Sequence, residues 1–494
     1  MRRRDFLKLA ALGAGAVGVT SVAGCSIFAP RQAMNTFGQV TFDTPLPVPP
    51  ILEANNVGGR QVFDMTIQEG ISQIVPQGGT TTWGLNGPML GPTIRANRGD
   101  DVRINVTNDM PQMTSMHWHG MRLPSAADGG PHSPIENGDT WSPEWTIDQP
   151  GATLWYHPHP HGETEIHVYM GLGGFFIVDD GEEPDEIPHD YGVDDFPVII
   201  QDKTFDENGE LEVTERFGVG MLGETILANG AAGAELQVTA EKTRLRLLNG
   251  STARTYNFGL SDDSTFQMIA SDGGLLPEPI DLNRIMLSPG ERAEIVVEMV
   301  PDETVVLRSF TQDLGINSGR TTDSGGNDEL DIMQLRSAPE LSPSPVLPAA
   351  LAAAPALQET QSSQTRQFSL GNNVINNRPM DMDRIDFEVP GDATEIWEIQ
   401  NTDSQPHNFH IHDVQFQILD IDGQEPPAEL AGWKDTIYTP PGARFRLLME
   451  FHDNPTPEIP YMYHCHLLWH EDEGMMGQFV VGDLDGAEPV THDH

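Results

Sequence analysis

The sequence is a succession of short runs in which apolar and polar residues alternate, each bounded by Gly, Asn, Asp or Pro. Residues 102–106, 244–248 and 444–447 alternate in this way, which predicts half-buried strands, and residues 294–298 have the composition of a buried strand. A period of two places every second side chain on the same face of a β-strand. No long stretch has the period of an amphipathic helix, and the 49 glycines and 39 prolines disfavour a helical bundle. The pattern therefore predicts an all-β chain built from sandwich or barrel domains.

The length of 494 residues suggests about three domains of roughly 150 residues each. Residues 337–367 are rich in Ala, Pro, Ser and Gln, a composition typical of a linker between packed units. A softer boundary falls near the acidic residues 179–184. We therefore predict domains at 36–183, 184–336 and 368–488.

Residues 1–30 have the pattern of an export signal. Residues 3–8 resemble a twin-arginine signal, and the apolar stretch 9–24 is too short and too rich in glycine for a membrane span. Residues 22–25 resemble a lipoprotein processing box, although simple cleavage with Cys25 incidental is the alternative. We expect an exported protein at the cell surface or outside the cell (facing the periplasm in a Gram-negative cell), with a lipid anchor on Cys25.

The chain is strongly acidic, with 74 Asp and Glu against 27 Lys and Arg and a net charge of −47. The acids are dispersed, and only four of the basic residues are lysines. This balance argues against nucleic acid as a partner, because binding there needs a basic face. A dispersed acidic surface keeps a protein hydrated in concentrated salt, where counterions screen its self-repulsion. We therefore expect a monomer from a salt-rich habitat.

Eight of the 17 histidines form four His-x-His pairs in the body of the chain; His161 continues one of these pairs, and His492 and His494 form a further pair in the C-terminal tail. Residues at i and i+2 of a strand point to the same face, so each pair offers two imidazoles side by side. Imidazole is a ligand for copper, zinc, iron and nickel. Two pairs lie in the first domain and two near the C-terminal end, so the fold can unite them in one cluster. The pairs are His117 with His119, His157 with His159, His410 with His412, and His464 with His466.

Cys465 stands between the two histidines of the last pair, so its side chain must point to the opposite face. Because there are only two cysteines and Cys25 belongs to the signal, the fold has no disulfide scaffold. A thiolate, two imidazoles and a weak axial thioether form a blue-copper electron-transfer site. The spacing therefore predicts a single-copper electron acceptor joined through the backbone to a multinuclear cluster. The ligands predicted for the single copper are His407, Cys465, His470 and Met475.

Together these motifs resemble the multicopper oxidases, and are closest to the bacterial copper-efflux oxidase and laccase-like branch. The resemblance covers almost all of the chain after residue 36. It implies three cupredoxin-like Greek-key domains and four copper ions: one type 1, one type 2 and two type 3. The matching segments are 117–120, 128–131, 155–162, 432–435, 464–468 and 470–476.

The resemblance also implies a role for each ligand. His407, Cys465, His470 and Met475 would hold the type 1 copper, and His117 and His410 the type 2 copper. Asp128 and Glu471 match the acids that relay protons and orient histidines, and His161 is a competing ligand candidate. The cluster would lie between the first and third domains, with the middle domain as a spacer. The type 3 ligands would be His119, His157, His159, His412, His464 and His466.

The function implied is oxidation of phenolic or other one-electron donors, with dioxygen as the partner substrate that is reduced to water. A cuprous-ion oxidase is the alternative. The efflux branch has a methionine-rich insertion, whereas residues 337–367 contain no Met, and Met380 and Met382 are a weak substitute. Trp469 also replaces an acid that this branch usually has beside the type 1 copper.

Two rival functions fit the sequence less well. Non-catalytic relatives that act as scaffolds or in cell division typically lack the copper ligands, all of which are present in this chain. A copper nitrite reductase does not keep a histidine on both sides of its type 1 cysteine, whereas this chain does.

Overall fold

A computed structural model describes residues 31–482 with a few gaps. The predicted export signal and the lipid attachment at Cys25 lie outside the described residues, as does the end of the third predicted domain. None of the described helices is long and apolar enough to cross a membrane. The gaps are residues 215, 217, 453–455 and 457.

The first domain is a pair of facing sheets, with strand orders β5-β11-β10-β7 and β2-β3-β6-β8; β4 adds to β3, and β9 to β6. Its strand β1 pairs with the second domain instead, where Thr44 lies opposite Ala234. In chain order the elements are β1 (Thr44–Pro45), β2 (Asn55–Val57), β3 (Arg60–Ser72), β4 (Thr80–Leu85), β5 (Ile94–Asn97), β6 (Asp101–Asn108), β7 (His117–His119), α1 (Ser125–Asp128), β8 (Thr140–Trp141), β9 (Glu144–Thr146), β10 (Ala152–His157), α2 (Thr164–Met170) and β11 (Gly174–Asp179).

The second domain is also a pair of sheets, with strand orders β14-β13-β12-β16-β21-β18-β19 and β1-β15-β23-β22-β17-β20. Its elements are β12 (Asp195–Lys203), β13 (Thr225–Ala228), β14 (Ala231–Ala232), β15 (Ala234–Ala240), β16 (Lys242–Asn249), β17 (Tyr256–Leu260), β18 (Phe266–Ser271), β19 (Gly274–Leu282), β20 (Ile285–Leu287), β21 (Arg292–Glu298), β22 (Thr304–Ser309), α3 (Ser318–Thr321) and β23 (Leu330–Ser342).

The third domain has sheets of order β25-β24-β27-β31-β29 and β26-β33-β32-β28-β30. The predicted linker 337–367 begins within β23 and ends within β24, so the extended irregular segment between strands is shorter than predicted. The elements, with two one-turn 3₁₀ helices at Glu359–Gln361 and Ala428–Leu430, are β24 (Gln364–Gly371), β25 (Val374–Ile375), β26 (Phe387–Val389), β27 (Thr394–Asn401), β28 (His407–Ile411), β29 (Phe416–Ile421), β30 (Thr436–Thr439), β31 (Arg444–Glu450), β32 (Tyr461–His464), α4 (Leu468–Asp472) and β33 (Met476–Val481).

The all-β prediction is confirmed, and β6 shows why the pattern works: its side chains alternate strictly between half-buried and buried. The alternation in β16 does not mark an exposed face, because Arg244 and Arg246 are buried almost as fully as the leucines beside them. Both guanidinium groups are paired with Glu294, and Arg246 also with Asp195. Burial of a charge requires such partners. The prediction of a half-buried strand is therefore wrong for β16.

Strand pairing places the histidine pairs beside one another. In the first domain β7 runs antiparallel to β10, with His117 opposite His157. In the third domain β28 runs antiparallel to β32, with His410 opposite His464. Each domain therefore presents its imidazoles from two hydrogen-bonded strands, which are stiff supports for a site that needs fixed geometry.

The first and third domains meet beside these strands. The backbone N–H groups at the start of α2, Thr164 and Glu165, donate to the Asp472 carboxylate of α4 at 2.9 and 3.0 Å. Tyr461 of β32 donates its hydroxyl to the Leu123 carbonyl at 2.7 Å. These contacts hold the two sets of histidines against each other.

Candidate metal centre

Cys465, His407 and His470 bring three ligand atoms together in the interior of the third domain. The Cys465 Sγ lies 3.8 Å from His407 Nδ1 and 3.7 Å from His470 Nδ1, and the two nitrogens lie 3.1 Å apart. All three side chains are completely buried. The three atoms are close enough together to bind one metal ion, and they belong to residues predicted as ligands of the type 1 copper.

The remote nitrogens of the two imidazoles fix how the rings face. His470 Nε2 donates to the Gly218 carbonyl at 2.8 Å, and His407 Nε2 lies 3.4 Å from the Asp403 carboxylate. A proton held at Nε2 leaves the Nδ1 lone pair free to bind a metal. Burial raises the pKa of Cys465 to about 12, so metal binding at this site must displace the thiol proton.

Met475, the predicted axial ligand, is fully buried in the same apolar cluster as Cys465. Its backbone carbonyl accepts a hydrogen bond from the Cys465 N–H at 3.0 Å. This bond closes the loop through α4 and holds the cysteine and the methionine beside each other.

The other eight predicted histidines form a second buried cluster between the first and third domains. Their ligand atoms fall into overlapping groups, within each of which all atoms lie within 4.8 Å of one another. The ring of His466 completes the cluster, 4.9 Å from the ring of His119 and 5.2 Å from that of His157, measured between centroids. The groups are His117, His119 and His157; His117, His410 and His412; and His159, His412 and His464.

The ring nitrogens in this cluster fit metal ligands. His117, His157 and His410 each donate Nδ1–H to a backbone carbonyl at 2.9 Å, those of Asp128, Pro158 and Asp435 respectively. The Nε2 atoms of these three imidazoles are buried and have no hydrogen-bond partner among the described residues. An unpartnered buried polar atom is costly, and a bound cation satisfies several of them at once.

Burial keeps six of the cluster imidazoles neutral near pH 7. Burial and the neighbouring imidazoles lower the pKa of His119, His157, His410 and His412 well below the ordinary value. Burial likewise lowers the pKa of His159 to about 4 and that of His466 to about 3. Neutral imidazole is the form that binds a metal ion, so these six side chains are in the metal-binding form near neutral pH.

Two buried carboxylates, at the positions singled out by the family resemblance, contact the cluster histidines. Asp128 Oδ2 accepts a hydrogen bond from His412 Nδ1 at 2.7 Å. Glu471 Oε2 lies 3.0 Å from His464 Nδ1, and its Oε1 lies 3.5 Å from His159 Nδ1. Each acid therefore orients histidines that the family resemblance assigns to the type 3 pair.

Asp435 has a role that the sequence analysis missed, although it lies in the motif 432–435. Its Oδ1 accepts from His119 Nε2 at 3.1 Å, and its carbonyl accepts from His410 Nδ1 at 2.9 Å. The sequence shows Asp435 as an acid inside a matched motif, but the neighbouring residues do not indicate which histidines its carboxylate contacts.

The middle domain, expected to be a spacer, also contacts the cluster. Its Gly290 lies against the cluster: a Cβ there would lie 3.1 Å from the His466 ring and 3.2 Å from the His119 ring. Gly290 also has φ +85°, a conformation that other residues rarely adopt. His161, the competing ligand candidate, is exposed, and among the described residues the converging groups do not include it.

A cavity of about 300 Å³ opens next to the Cys465 site. It reaches Gly218, whose carbonyl accepts the hydrogen bond from His470. Trp469, noted as a departure from the copper-efflux branch, is half-buried beside His470. The described residues that line the cavity are Gly218, Arg320, Asp323, Ser324 and Gln405.

Comparison with known proteins agrees with this geometry. Sequence models described as multicopper oxidase match residues 68–183, 194–314 and 351–485. The chain is 36% identical over 428 residues to a multicopper oxidase of Staphylococcus haemolyticus, covering 86% of this chain and 89% of the relative. It is 33% identical over 492 residues to the cell division protein FtsP of Escherichia coli, covering 98% and 99%.

Solved structures of multicopper oxidases are also similar to this chain. The laccase of Pediococcus acidilactici superposes with a TM-score of 0.81 at 34% identity, over 89% of this chain and 94% of that one. A laccase-like multi-copper oxidase from Ochrobactrum sp. also has a TM-score of 0.81 at 34% identity, over 88% and 100%. The cupredoxin-like fold is therefore confirmed, and the chain belongs to the multicopper oxidase family.

Proposed function

We propose that this chain is a laccase-like oxidase that takes electrons from phenolic or other one-electron donors and reduces dioxygen to water. Copper in the two sites supplies the one-electron steps and the transfer of four electrons to dioxygen. His407, Cys465, His470 and Met475 would hold the type 1 ion, and the eight clustered histidines would hold the type 2 and type 3 ions.

The observation that carries the proposal is the position of Cys465 between the two sites. Its Sγ faces His407 and His470, while its sequence neighbours His464 and His466 belong to the histidine cluster. A few covalent bonds therefore join the two sites. This arrangement supports electron transfer from a donor site to a separate site of oxygen reduction.

The cavity beside the Cys465 site supports an organic donor. Thiolates and thioethers are the ligands that favour cuprous ion. The described lining of the cavity offers a carboxylate, an amide, a hydroxyl and a guanidinium instead. Asp403, whose side chain is 17% exposed and lies against His407, is placed to accept the proton that a phenol loses on oxidation.

Asp128 and Glu471 would deliver the protons that are needed at the oxygen-reducing site. Both carboxylates are shielded from bulk water and face the cluster histidines. Burial opposes ionisation of Glu471, but the adjacent imidazoles of His159 and His464 lower its pKa well below the usual range. An ionised carboxylate there can take up a proton at Oε1 or Oε2 and release it towards the cluster.

A non-catalytic role is the second candidate, because relatives named cell division protein FtsP match almost the whole chain. Overall identity does not separate the two candidates, since the multicopper oxidases match at a similar level. The complete ligand set and its convergence favour catalysis.

We also propose that the protein acts outside the cytoplasm, on the strength of the signal pattern in residues 1–30. Expression with a labelled fatty acid tests the lipid anchor. Label in the wild type and none in Cys25→Ala supports it, whereas an unlabelled wild-type protein contradicts it.

Oxygen uptake by the copper-bound protein in molar salt tests the proposed function. We expect uptake with a phenolic donor, and slower uptake with cuprous ion measured against a protein-free blank. The Cys465→Ser variant is the control, because it lacks the thiolate through which electrons would enter, and it should consume no oxygen. A wild type that binds copper but consumes no oxygen with either donor would support the non-catalytic candidate, and faster uptake with cuprous ion would reverse the choice of substrate.

A further inference from the structure

Arg292 of the middle domain uses all of its hydrogen-bond donors at the junction of the three domains. Its Nε donates to the Thr153 carbonyl of the first domain at 3.0 Å. Its Nη1 and Nη2 donate to the carbonyls of Gly290 and Asp272 at 3.0 and 2.9 Å. The two remaining donors bind Asp435 of the third domain, Nη1 to Oδ1 at 2.7 Å and Nη2 to Oδ2 at 2.6 Å.

The two hydrogen bonds from Arg292, called the fork below, hold the Asp435 carboxylate in a single orientation. Both Arg292 and Asp435 are completely buried, so neither charge is compensated by water. A buried bidentate pair has a defined geometry, which a single ammonium group does not impose. Thr436 adds a hydroxyl bond to Asp435 Oδ1 at 2.9 Å.

Asp435 in turn contacts two histidines that come from different domains. Its Oδ1 accepts from His119 Nε2, so the His119 Nδ1 that faces the cluster is free of a proton. Its carbonyl accepts from His410 Nδ1, which leaves His410 Nε2 free in the same way. The two rings stack at 3.7 Å with an angle of 8° between their planes.

We propose that Arg292 is a positioning residue for the three-copper site and acts through Asp435 on His119 and His410. The inference rests on the proposed copper function of these two histidines. It gives the middle domain, which supplies no predicted copper ligand, a direct part in building the site. Loss of the fork would let the Asp435 carboxylate rotate, and both imidazoles would lose their fixed orientation.

The Arg292→Lys variant tests this proposal, because lysine keeps the positive charge but cannot make the planar fork. Groups that orient metal ligands typically change metal affinity by about 10- to 100-fold when they are altered. We expect a loss of that size in copper affinity at the three-copper site, measured by competition with a chelator. The type 2 electron paramagnetic resonance signal should change, while the blue absorption of the Cys465 site should persist.

Arg254→Lys is the matched control. Arg254 is an equally buried arginine of the same domain, but it is bonded to Asp202, Asp328 and the Gly223 carbonyl. Its replacement should lower stability without changing the type 2 signal or the copper affinity. If the role of Arg292 is purely structural, Arg292→Lys should also lose stability without a change in the type 2 signal or the copper affinity.

The outcomes separate this inference from the proposed function. A wild type without copper at the histidine cluster would refute both, whereas a wild type with copper and an Arg292→Lys variant of equal affinity and signal would refute only the role of Arg292. If Arg292→Lys does not fold, Asp435→Asn removes the same charged acceptor with little change in shape. An unchanged type 2 signal in Asp435→Asn would overturn the inference, and a changed signal with the blue absorption intact would support it.

Discussion

The Nδ1 atoms of His407 and His470 face each other at 3.1 Å, and the Nε2 atom of each imidazole faces an oxygen outside the pair. Protons at the two Nε2 atoms would leave two lone pairs facing each other beside the Cys465 sulfur. Such an arrangement is unfavourable unless a cation lies between the atoms. The pair therefore has the geometry expected of two ligands that share one metal ion.

Replacement of Cys465 by serine should remove the blue colour and the turnover together. Serine is close in size, but it lacks the thiolate on which the blue absorption depends. Visible absorption and oxygen uptake measure the two effects. The variant should keep its type 2 signal, since its neighbours His464 and His466 are unchanged. Full turnover in this variant would refute the electron route.

Replacement of Glu471 by glutamine should slow oxygen reduction, because an amide cannot take up and release the proton. Loss of a proton-transferring group typically costs about 100-fold or more in rate. Stopped-flow measurement should show normal reduction of the blue site by the donor and slow reoxidation by dioxygen. Glu473→Gln, two residues away on the surface, is the control and should reoxidise normally. Equal reoxidation rates in the two variants would contradict the assignment.

The buried histidines should make the copper-free protein less stable in mild acid. Burial lowers the pKa of His159 to about 4, against 6.5 in the unfolded chain. The unfolded state therefore binds one more proton between these values, and stability falls as pH falls from 6.5 to about 4. Relative to His159→Gln, the wild-type unfolding free energy should drop by about 1.4 kcal/mol per pH unit for this histidine.

Denaturant titrations across this pH range measure that difference. His189→Gln, at an exposed histidine, is the control and should keep the wild-type pH slope. Parallel pH curves for the wild type and His159→Gln would show that His159 titrates normally in the folded protein.

Replacement of Gly120 by alanine should disturb the Arg292–Asp435 pair. Gly120 has φ +83°, and a Cβ there would lie 2.5 Å from Asp435 Oδ2 and 2.8 Å from Arg292 Nη2. A left-handed alanine costs about 1–3 kcal/mol, and displacement of the pair adds to that cost. Gly138→Ala isolates the backbone effect, because Gly138 has the same φ and nothing within 4 Å of the added atom. Chemical denaturation should show a larger loss for Gly120→Ala, and equal losses would refute the steric contact.

The acidic surface should make stability depend on salt. Exposed acids such as Glu182, Asp185 and Glu186 lie close together in the segment that leads into the second domain. Counterions screen their mutual repulsion, so the unfolding temperature should rise from dilute buffer to molar salt. Thermal unfolding followed by circular dichroism measures this. An unfolding temperature that is equal or higher in dilute buffer would count against a salt-rich habitat.

The histidine pairs could be predicted because their signal is local. The spacing of His117 and His119 needs only the period of a strand, and the order Cys465, His470, Met475 lies in one short loop. Strand pairing then places His117 opposite His157 without further assumptions.

The supporting network could not be predicted, because its partners come from distant parts of the chain. Arg292 and Asp435 are 143 residues apart, and alternation does not distinguish a strand face that meets another domain from one that meets water. Arg244 was misassigned for the same reason: its partners Glu183 and Glu294 come from elsewhere in the chain and keep the charge buried.

The ratio of donor oxidised to dioxygen consumed tests the central claim most directly. A three-copper site supplied through Cys465 should consume four equivalents of a one-electron phenolic donor for each dioxygen and leave no peroxide. A ratio of two with accumulation of hydrogen peroxide would contradict reduction to water at the histidine cluster.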